Sequence, residues 1–132
     1  MSATMTNGYH HVAMKVADLD KSIAFYAAIG MSVAASWGEG DGRAVMIDCG
    51  NSNYLELFAG GAAGEKPAGF VTHFAFRVAD TAACLAAAVA AGAVVTMDIK
   101  TLTIPSKPKE IPVCLAFCKG PDGEIIEFFQ EL

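Results

Sequence analysis

Two stretches of the chain alternate between apolar and polar positions and nearly repeat one another. Residues 11–18 read His-Val-Ala-Met-Lys-Val-Ala-Asp, and residues 73–80, 62 positions later, read His-Phe-Ala-Phe-Arg-Val-Ala-Asp. Successive side chains of a strand point to opposite faces, so each stretch predicts a strand with one apolar face and one face that carries a histidine and a cation. The same offset aligns residues 30–33 with residues 92–95, and the chain is therefore predicted to contain an internal duplication.

Helix signals follow both of these strands. Asp18 and Asp80 stand where an N-cap is expected, and Gly30 and Gly92 supply the stops. Between them lie residues at helical spacing that predict the buried stripes: Leu19, Ile23 and Tyr26 in the first helix, and Leu85 and Val89 in the second. We expect each stripe to cover the apolar face of a sheet.

Further strands complete each predicted unit. Three are predicted at residues 32–37, 43–49 and 53–58, and the second unit has counterparts that begin at 94–98 and continue at 113–119 and 124–130. Residues 60–69 are rich in glycine and predict a linker. Residues 100–112 contain three prolines and predict a loop near the site. The sequence thus predicts one α+β domain over 1–132, with a first βαβββ module at about 8–59 and a second at about 70–132.

The composition restricts the possible function classes. A hydrophobic fraction of 54% with 17% charged residues is typical of a compact globule, and a formal net charge of -5 argues against a nucleic-acid partner. No targeting segment and no apolar run of membrane-spanning length occurs, so we expect no membrane association and a cytoplasmic location. The four cysteines form no CxxC pair and are expected to be buried small apolar residues.

Two glutamates stand among apolar neighbours in the last predicted strand of each unit. Glu56 lies in Tyr-Leu-Glu-Leu-Phe and Glu127 in Ile-Ile-Glu-Phe-Phe. A buried carboxylate must be paired or bound to something positive, although a single glutamate of this kind is more often a solvent-facing strand residue. Because both recur at equivalent places, together with His11 and His73, we expect the four side chains to converge. His10 is expected on the opposite face, in a structural role.

Two imidazoles and two carboxylates form a mixed nitrogen and oxygen set. Such a set suits divalent nickel, cobalt, zinc, manganese or iron, with positions left for water. The sequence therefore predicts a divalent metal site with the ligands His11, Glu56, His73 and Glu127.

These motifs resemble the vicinal-oxygen-chelate superfamily (the glyoxalase/bleomycin resistance/dioxygenase family), and within it glyoxalase I, or lactoylglutathione lyase. The resemblance covers nearly the whole chain and extends to Ser-Ile-Ala-Phe-Tyr at 22–26 and Gly-Pro-Asp-Gly at 120–123. It implies paired βαβββ modules that form a curved mixed sheet around the metal, the same four ligands, and a homodimer that can share modules between subunits. With a histidine in the first ligand position, the chain resembles the bacterial glyoxalases that favour nickel or cobalt.

The resemblance also implies an activity. A metal-dependent lyase or isomerase of this type moves a proton through an enediolate on a small molecule with two vicinal oxygens, such as the thiohemiacetal of methylglyoxal. Glu127 is then the first candidate base and Glu56 the second. Lys15 and Arg77 are the candidate substrate-binding residues. Glutathione-dependent members carry an asparagine four positions after the second ligand, where this chain has Gly60, so the identity of the thiol stays open.

Three other function classes remain open at the level of the sequence. An acyl-CoA epimerase would use similar enolate chemistry, although that branch usually has glutamine in the place of Glu56. A ring-cleaving Fe(II) dioxygenase needs two histidines and one carboxylate, which would leave Glu56 without a task. A non-catalytic drug-binding resistance protein of the same fold needs none of the four ligands.

Overall fold

Two modules of the same element order make up the chain. The computed structural model describes residues 5, 8–67, 69 and 71–132. The first module consists of β1 (His11–Lys15), α1 (Leu19–Ala28), β2 (Ser32–Trp37), a short 3-10 turn (Gly40–Gly42), β3 (Ala44–Gly50) and β4 (Asn53–Phe58). The second consists of β5 (Phe74–Arg77), α2 (Thr81–Ala90), β6 (Val94–Ile104), β7 (Ile111–Lys119) and β8 (Ile125–Glu131). Phe70, where the second module was predicted to start, lies outside the described residues.

Each module forms a four-stranded mixed sheet. The strand orders are β1-β4-β3-β2 and β5-β8-β7-β6. The first strand of each module runs parallel to the last, while the other neighbours are antiparallel. The predicted α+β class and the duplication of a βαβββ unit are therefore confirmed.

The helices begin where the sequence predicted. The Oδ1 atom of Asp18 accepts a hydrogen bond of 3.0 Å from the backbone N–H of Lys21, and Oδ1 of Asp80 accepts one of 3.1 Å from Ala83. These contacts satisfy N–H groups that have no partner within the helix. The predicted stripe is correct for Leu85 but wrong for Val89, which is 46% exposed. The buried neighbour on that turn is Ala88, which is 0% exposed.

One apolar cluster joins the two modules. It contains buried residues from both sheets and both helices: Val16, Leu19, Phe25, Tyr26, Val45, Ile47, Leu55, Leu57, Ala59, Leu85, Ala88, Ala116, Cys118, Ile126 and Phe128. Phe74, Phe76 and Val78 pack against it from the predicted apolar side of β5. Because alternate residues of a strand face opposite ways, the histidine-bearing faces of β1 and β5 are turned away from this core.

A tight turn of the second module is bonded to the first. Asp122, which lies between β7 and β8, is buried, and its Oδ1 accepts a hydrogen bond of 2.9 Å from the backbone N–H of Ala17. The same oxygen forms an ion pair with Lys66 of the segment between the modules. Asp122 therefore ties the end of β1, the intermodule segment and the β7–β8 turn together.

The segment at 100–112 differs from the sequence prediction. β6 continues to Ile104 and β7 starts at Ile111, so only residues 105–110 form a loop. Two of the three prolines lie in this hairpin tip, and the third, Pro112, is the second residue of β7, opposite Thr103. The prediction of a loop over the whole segment was wrong because prolines at a hairpin tip and at a strand start do not interrupt the ladder between them.

The two modules differ in the regularity of their first long hairpin. In β2 the register shifts once, between Val33 and Ala35. In β6 it shifts between Val95 and Met97 and again between Met97 and Lys100. The first shift is common to both modules at the 62-residue offset, whereas the second belongs to the second module alone. A register shift of this kind is a β-bulge, which changes the face to which the following side chains point.

Candidate metal centre

β1 and β4 bring His11 and Glu56 together. The two strands are parallel, with Ala13 opposite Glu56, and His11 lies two residues before Ala13 on the same face. The Nε2 atom of His11 is 3.4 Å from Oε1 of Glu56. The strand pairing of the first module thus creates one nitrogen and oxygen pair.

The second module repeats this arrangement with His73 and Glu127. Ala75 lies opposite Glu127 in the parallel pair of β5 and β8, and His73 directly precedes β5. The Nε2 atom of His73 is 3.2 Å from Oε1 of Glu127. The duplication seen in the sequence therefore becomes two equivalent His–Glu pairs that use the same ring nitrogen.

The other ring nitrogen of each histidine also has a neighbour. The Nδ1 atom of His11 is 3.0 Å from Nδ1 of His10, and Nδ1 of His73 is 3.1 Å from the hydroxyl oxygen of Thr72. Such contacts fix the ring orientation and the tautomer of a metal-binding histidine. The expectation that His10 lies on the opposite face was wrong, since its ring packs beside those of His11 and Tyr54. Sequence reasoning missed this role, although His10 and Thr72 are equivalent at the 62-residue offset.

The glutamates are less exposed than the histidines. Glu56 and Glu127 have 14% and 9% of their side chains exposed, whereas His11 and His73 have 39% and 38%. Burial raises the pKa of Glu127 above its ordinary value, while the adjacent His73 acts in the opposite direction. The ring of Phe117 meets that of His73 edge-to-face, with centroids 5.1 Å apart. Each pair thus has a sheltered carboxylate and an imidazole that faces solvent.

The two pairs do not form one four-ligand cluster within the chain. Across the described residues, no group of three or more His, Cys, Asp or Glu side chains stands close enough to hold a metal ion. Each pair alone supplies one imidazole nitrogen and one carboxylate oxygen, which is half of the predicted set. The chemistry of the donors fits a divalent ion of the nickel, cobalt, zinc, manganese or iron type, and two such pairs would supply the four ligands.

Lys15 and Arg77, the predicted substrate-binding residues, have different surroundings. Lys15 is exposed at the end of β1 and lines a cavity of about 300 Å³ between the modules, together with Lys66 and Lys119. The guanidinium of Arg77 is exposed and pairs with Glu131, which raises its pKa. Of these two cations, only Arg77 forms an ion pair within the described part of the chain.

The four cysteines lie away from this chemistry. Cys118 is buried, the other three are half-buried, and all four are free thiols. Burial raises the pKa of Cys49 and of Cys118 to about 11, so both thiols are protonated at neutral pH. Neither thiol takes part in a His–Glu pair, and the two pairs are the candidate centre.

Comparisons with known proteins identify the family and the fold. The model of the Glyoxalase/Bleomycin resistance protein/Dioxygenase superfamily matches residues 8–128. No curated protein matches the sequence. A variant of glyoxalase I from Zea mays superposes with a TM-score of 0.73 at 23% identity, over 91% of this chain and 44% of that one. The chain thus spans less than half the length of the maize enzyme.

Two further solved structures match over nearly their full length. SMU.1112c superposes with a TM-score of 0.72 at 24% identity, over 93% of this chain and 98% of that one. A glyoxalase/bleomycin resistance protein/dioxygenase from Alicyclobacillus acidocaldarius gives a TM-score of 0.66 at 18% identity, over 96% and 92%. These likenesses establish the fold.

A vicinal-oxygen-chelate fold with two His–Glu pairs is thus the class that sequence and structure define. The chain belongs to the Glyoxalase/Bleomycin resistance protein/Dioxygenase superfamily. Neither helix in the described part of the chain is long and apolar enough to cross a membrane.

Proposed function

We propose that the protein is a metal-dependent lyase or isomerase of the glyoxalase I type. Its substrate would carry two vicinal oxygens, as in the thiohemiacetal that methylglyoxal forms with a thiol. The observation that carries this proposal is the repeated pair of one imidazole Nε2 and one carboxylate Oε1, 3.4 Å and 3.2 Å apart, on the first and last strands of each module. Each of the two modules has a glutamate at this position, which favours proton transfer over chemistry that needs a single carboxylate.

We further propose that the complete centre forms between two copies of the chain. The apolar cluster holds the modules together by the faces opposite the His–Glu pairs, so each pair is left open on one side. If His11 and Glu56 of one copy meet His73 and Glu127 of another, a symmetric homodimer contains two four-ligand centres. The outward direction of both pairs supports this arrangement.

The residues of the chain would then take distinct roles. When bound, the metal ion would hold the two vicinal oxygens of the substrate and stabilise the negative charge that develops on them. Glu127 would accept the proton from one carbon and return it to the neighbouring carbon. Glu56 is placed to act on the opposite side of the substrate. His10 and Thr72 would keep the Nε2 atoms of the ligand histidines directed at the centre.

A complementation experiment tests the shared centre. The variant His11→Ala/Glu56→Ala loses the pair of the first module, and His73→Ala/Glu127→Ala loses that of the second. Every centre in a homodimer of either variant contains one damaged pair, so neither should hold metal tightly. A heterodimer of the two variants, isolated with two different tags, contains one centre with all four ligands. We expect one metal ion per heterodimer, measured by elemental analysis of the purified protein, and activity restored to about half of the wild-type level.

Opposite results would reject parts of the proposal. If the heterodimer binds no more metal than the homodimers, the centre is not shared between copies. If the wild-type protein with bound metal consumes oxygen and leaves no solvent deuterium in the product, a dioxygenase replaces the lyase or isomerase. Wild-type protein without a bound divalent metal after growth in metal-supplemented medium would argue for a non-catalytic binding protein.

A further inference from the structure

The second bulge of β6 turns Lys100 to the face of the sheet that carries Glu127. Met97 lies opposite Phe117 and Lys100 lies opposite Leu115, so three steps along β6 match two steps along β7. Without the bulge, Ile99 rather than Lys100 would share a face with Met97. The carboxylate of Asp98 accepts a hydrogen bond of 2.8 Å from the backbone N–H of Ile99 within the bulge. A local side-chain contact thus supports the backbone conformation that redirects Lys100.

The same face of the sheet bears a cavity beside Glu127. Its volume is about 470 Å³, within the range of small-molecule sites. Four apolar side chains of β6 and β7 form most of its wall: Met97, Leu102, Leu115 and Phe117. The polar residues along it are Lys100, Thr101 and Glu127. An apolar wall with a few polar groups is typical of a site that binds a small organic molecule in one orientation.

The charge of Lys100 is available to a ligand. None of the six ion pairs formed within the described part of the chain includes this lysine. Glu127 stands on β8, two strands away and opposite Phe117, whereas Lys100 is opposite Leu115. Two strand spacings and this two-residue offset place the backbones of Lys100 and Glu127 about 12 Å apart. An acidic group of a bound molecule would be attracted to Lys100 at the β6 end of the cavity, whereas Glu127 at the other end is already engaged with His73. The charges therefore favour one orientation, in which the acidic end lies at β6 and the rest of the molecule extends towards β8.

We propose that Lys100 is a specificity-determining residue that binds a carboxylate of the substrate, while the apolar wall beside it binds the adjoining hydrocarbon or thioether part. Lys100 lies on this face of the sheet because of a bulge that the first module lacks. The two modules therefore differ at the place where the substrate would be selected. The identity of Glu127 as the reacting group rests on the proposed function. The binding of a carboxylate at Lys100 does not.

Equilibrium binding separates these two claims. A suitable probe is 3-(benzylsulfanyl)propanoate, a stable thioether with an apolar ring and one carboxylate, compared by calorimetry with its neutral primary amide. We expect the wild-type protein to bind the acid more tightly than the amide by about tenfold or more, the usual effect of one hydrogen bond to a charged group. In Lys100→Met the two probes should bind with equal affinity, and the amide should bind as it does to the wild type.

Two variants control for charge and for geometry. Lys109→Met removes a cation from the same hairpin, at an exposed position outside the cavity, and should preserve the preference for the acid. The exchange Ile99→Lys/Lys100→Ile keeps the composition and the net charge but moves the cation to the other face, and should abolish the preference. Equal affinity of the wild type for the two probes, or an undiminished preference in Lys100→Met, would overturn the assignment.

Turnover then distinguishes failure of this inference from failure of the proposed function. The substrates are the adducts of methylglyoxal with 3-mercaptopropionate and with the neutral 2-mercaptoethanol. We expect Lys100→Met to lower kcat/KM about tenfold for the acidic adduct and to leave the neutral adduct unchanged. Selective probe binding without turnover of either adduct would reject the glyoxalase reaction and retain the carboxylate site. Turnover of both adducts with no effect of Lys100→Met would reject the carboxylate site and retain the reaction.

Discussion

The hydroxyl of Tyr26 donates a hydrogen bond of 2.9 Å to Oε2 of Glu124, which joins the helix of the first module to the start of the last strand of the second. Tyr26 is fully buried and belongs to the apolar cluster, whereas the other oxygen of Glu124 accepts a hydrogen bond from the backbone N–H of Asp122. Asp122 in turn accepts from Ala17. This chain of bonds holds the two modules in the arrangement that directs both His–Glu pairs outward.

Removal of the Tyr26 hydroxyl should therefore weaken the contact between the modules. Tyr26→Phe keeps the ring in the core but takes one hydrogen bond from a partly buried carboxylate, so we expect a loss of about 1.5–3 kcal/mol in the free energy of unfolding. Chemical denaturation measures it. Tyr9→Phe is the matched control, because Tyr9 is 83% exposed and its hydroxyl should contribute almost nothing. Equal stability of the two variants would contradict the role of this bond.

Glu124 should also make stability depend on pH. Burial raises the pKa of this carboxyl above its ordinary value, although hydrogen bonds from Asp122 and Tyr26 oppose the change. The folded protein therefore binds a proton more readily than the unfolded chain, and the contribution of Glu124 to stability falls as pH rises from the unfolded pKa through the raised folded pKa. Glu124→Gln removes this titration. The difference in unfolding free energy, wild type minus variant, should decrease over that window and stay constant above it. A difference that increases with pH would contradict the prediction.

The duplication made most of the fold predictable. A histidine, a cation and an aspartate that recur at one offset mark the first strand and the helix start of both modules, and each is a local signal. The association of His11 with Glu56 was expected because both recur at equivalent places in the two units. Alternation gives only the face of each residue, and their contact also requires the parallel pairing of β1 with β4. What the sequence did not reveal is which faces of the two sheets meet. That choice depends on packing between modules, including the buried contacts of Asp122 and Glu124, which no local pattern encodes.

The second bulge of β6 also could not be predicted from the sequence. The three prolines within residues 100–112 suggested a loop, yet both strands of the hairpin continue close to its tip. A bulge depends on hydrogen bonds to the partner strand, and its effect on the direction of Lys100 appears only when the register with β7 is known.

The position of His10 beside His11 was also not predicted. Strict alternation put His10 on the opposite face, but it precedes the first residue of β1 and need not follow the pleat.

His10 and Thr72 should act as positioning residues for the ligand histidines. Loss of such a contact at Nδ1 typically weakens metal affinity by roughly 10- to 100-fold, so we expect this range for His10→Ala and for Thr72→Ala. A competition titration with a chelating dye measures the affinity. Thr103→Ala is the matched control, because this exposed threonine of β6 is remote from both histidines in the strand order. Wild-type affinity in both test variants would show that the Nδ1 contacts do not support the centre.

We expect Glu127 to be both a metal ligand and the group that carries the proton. Its carboxylate is 9% exposed and lies 3.2 Å from His73, and burial raises its pKa towards the range of an effective general base. Glu127→Gln keeps an oxygen donor of nearly the same shape but cannot accept a proton at neutral pH. Metal should therefore remain partly bound, while turnover per bound metal ion falls by a factor of about 100 to 10,000. Glu56→Gln is the comparison, because it alters the equivalent ligand of the other pair and should reduce turnover less. Wild-type turnover per metal in Glu127→Gln would remove this residue from the proton-transfer step.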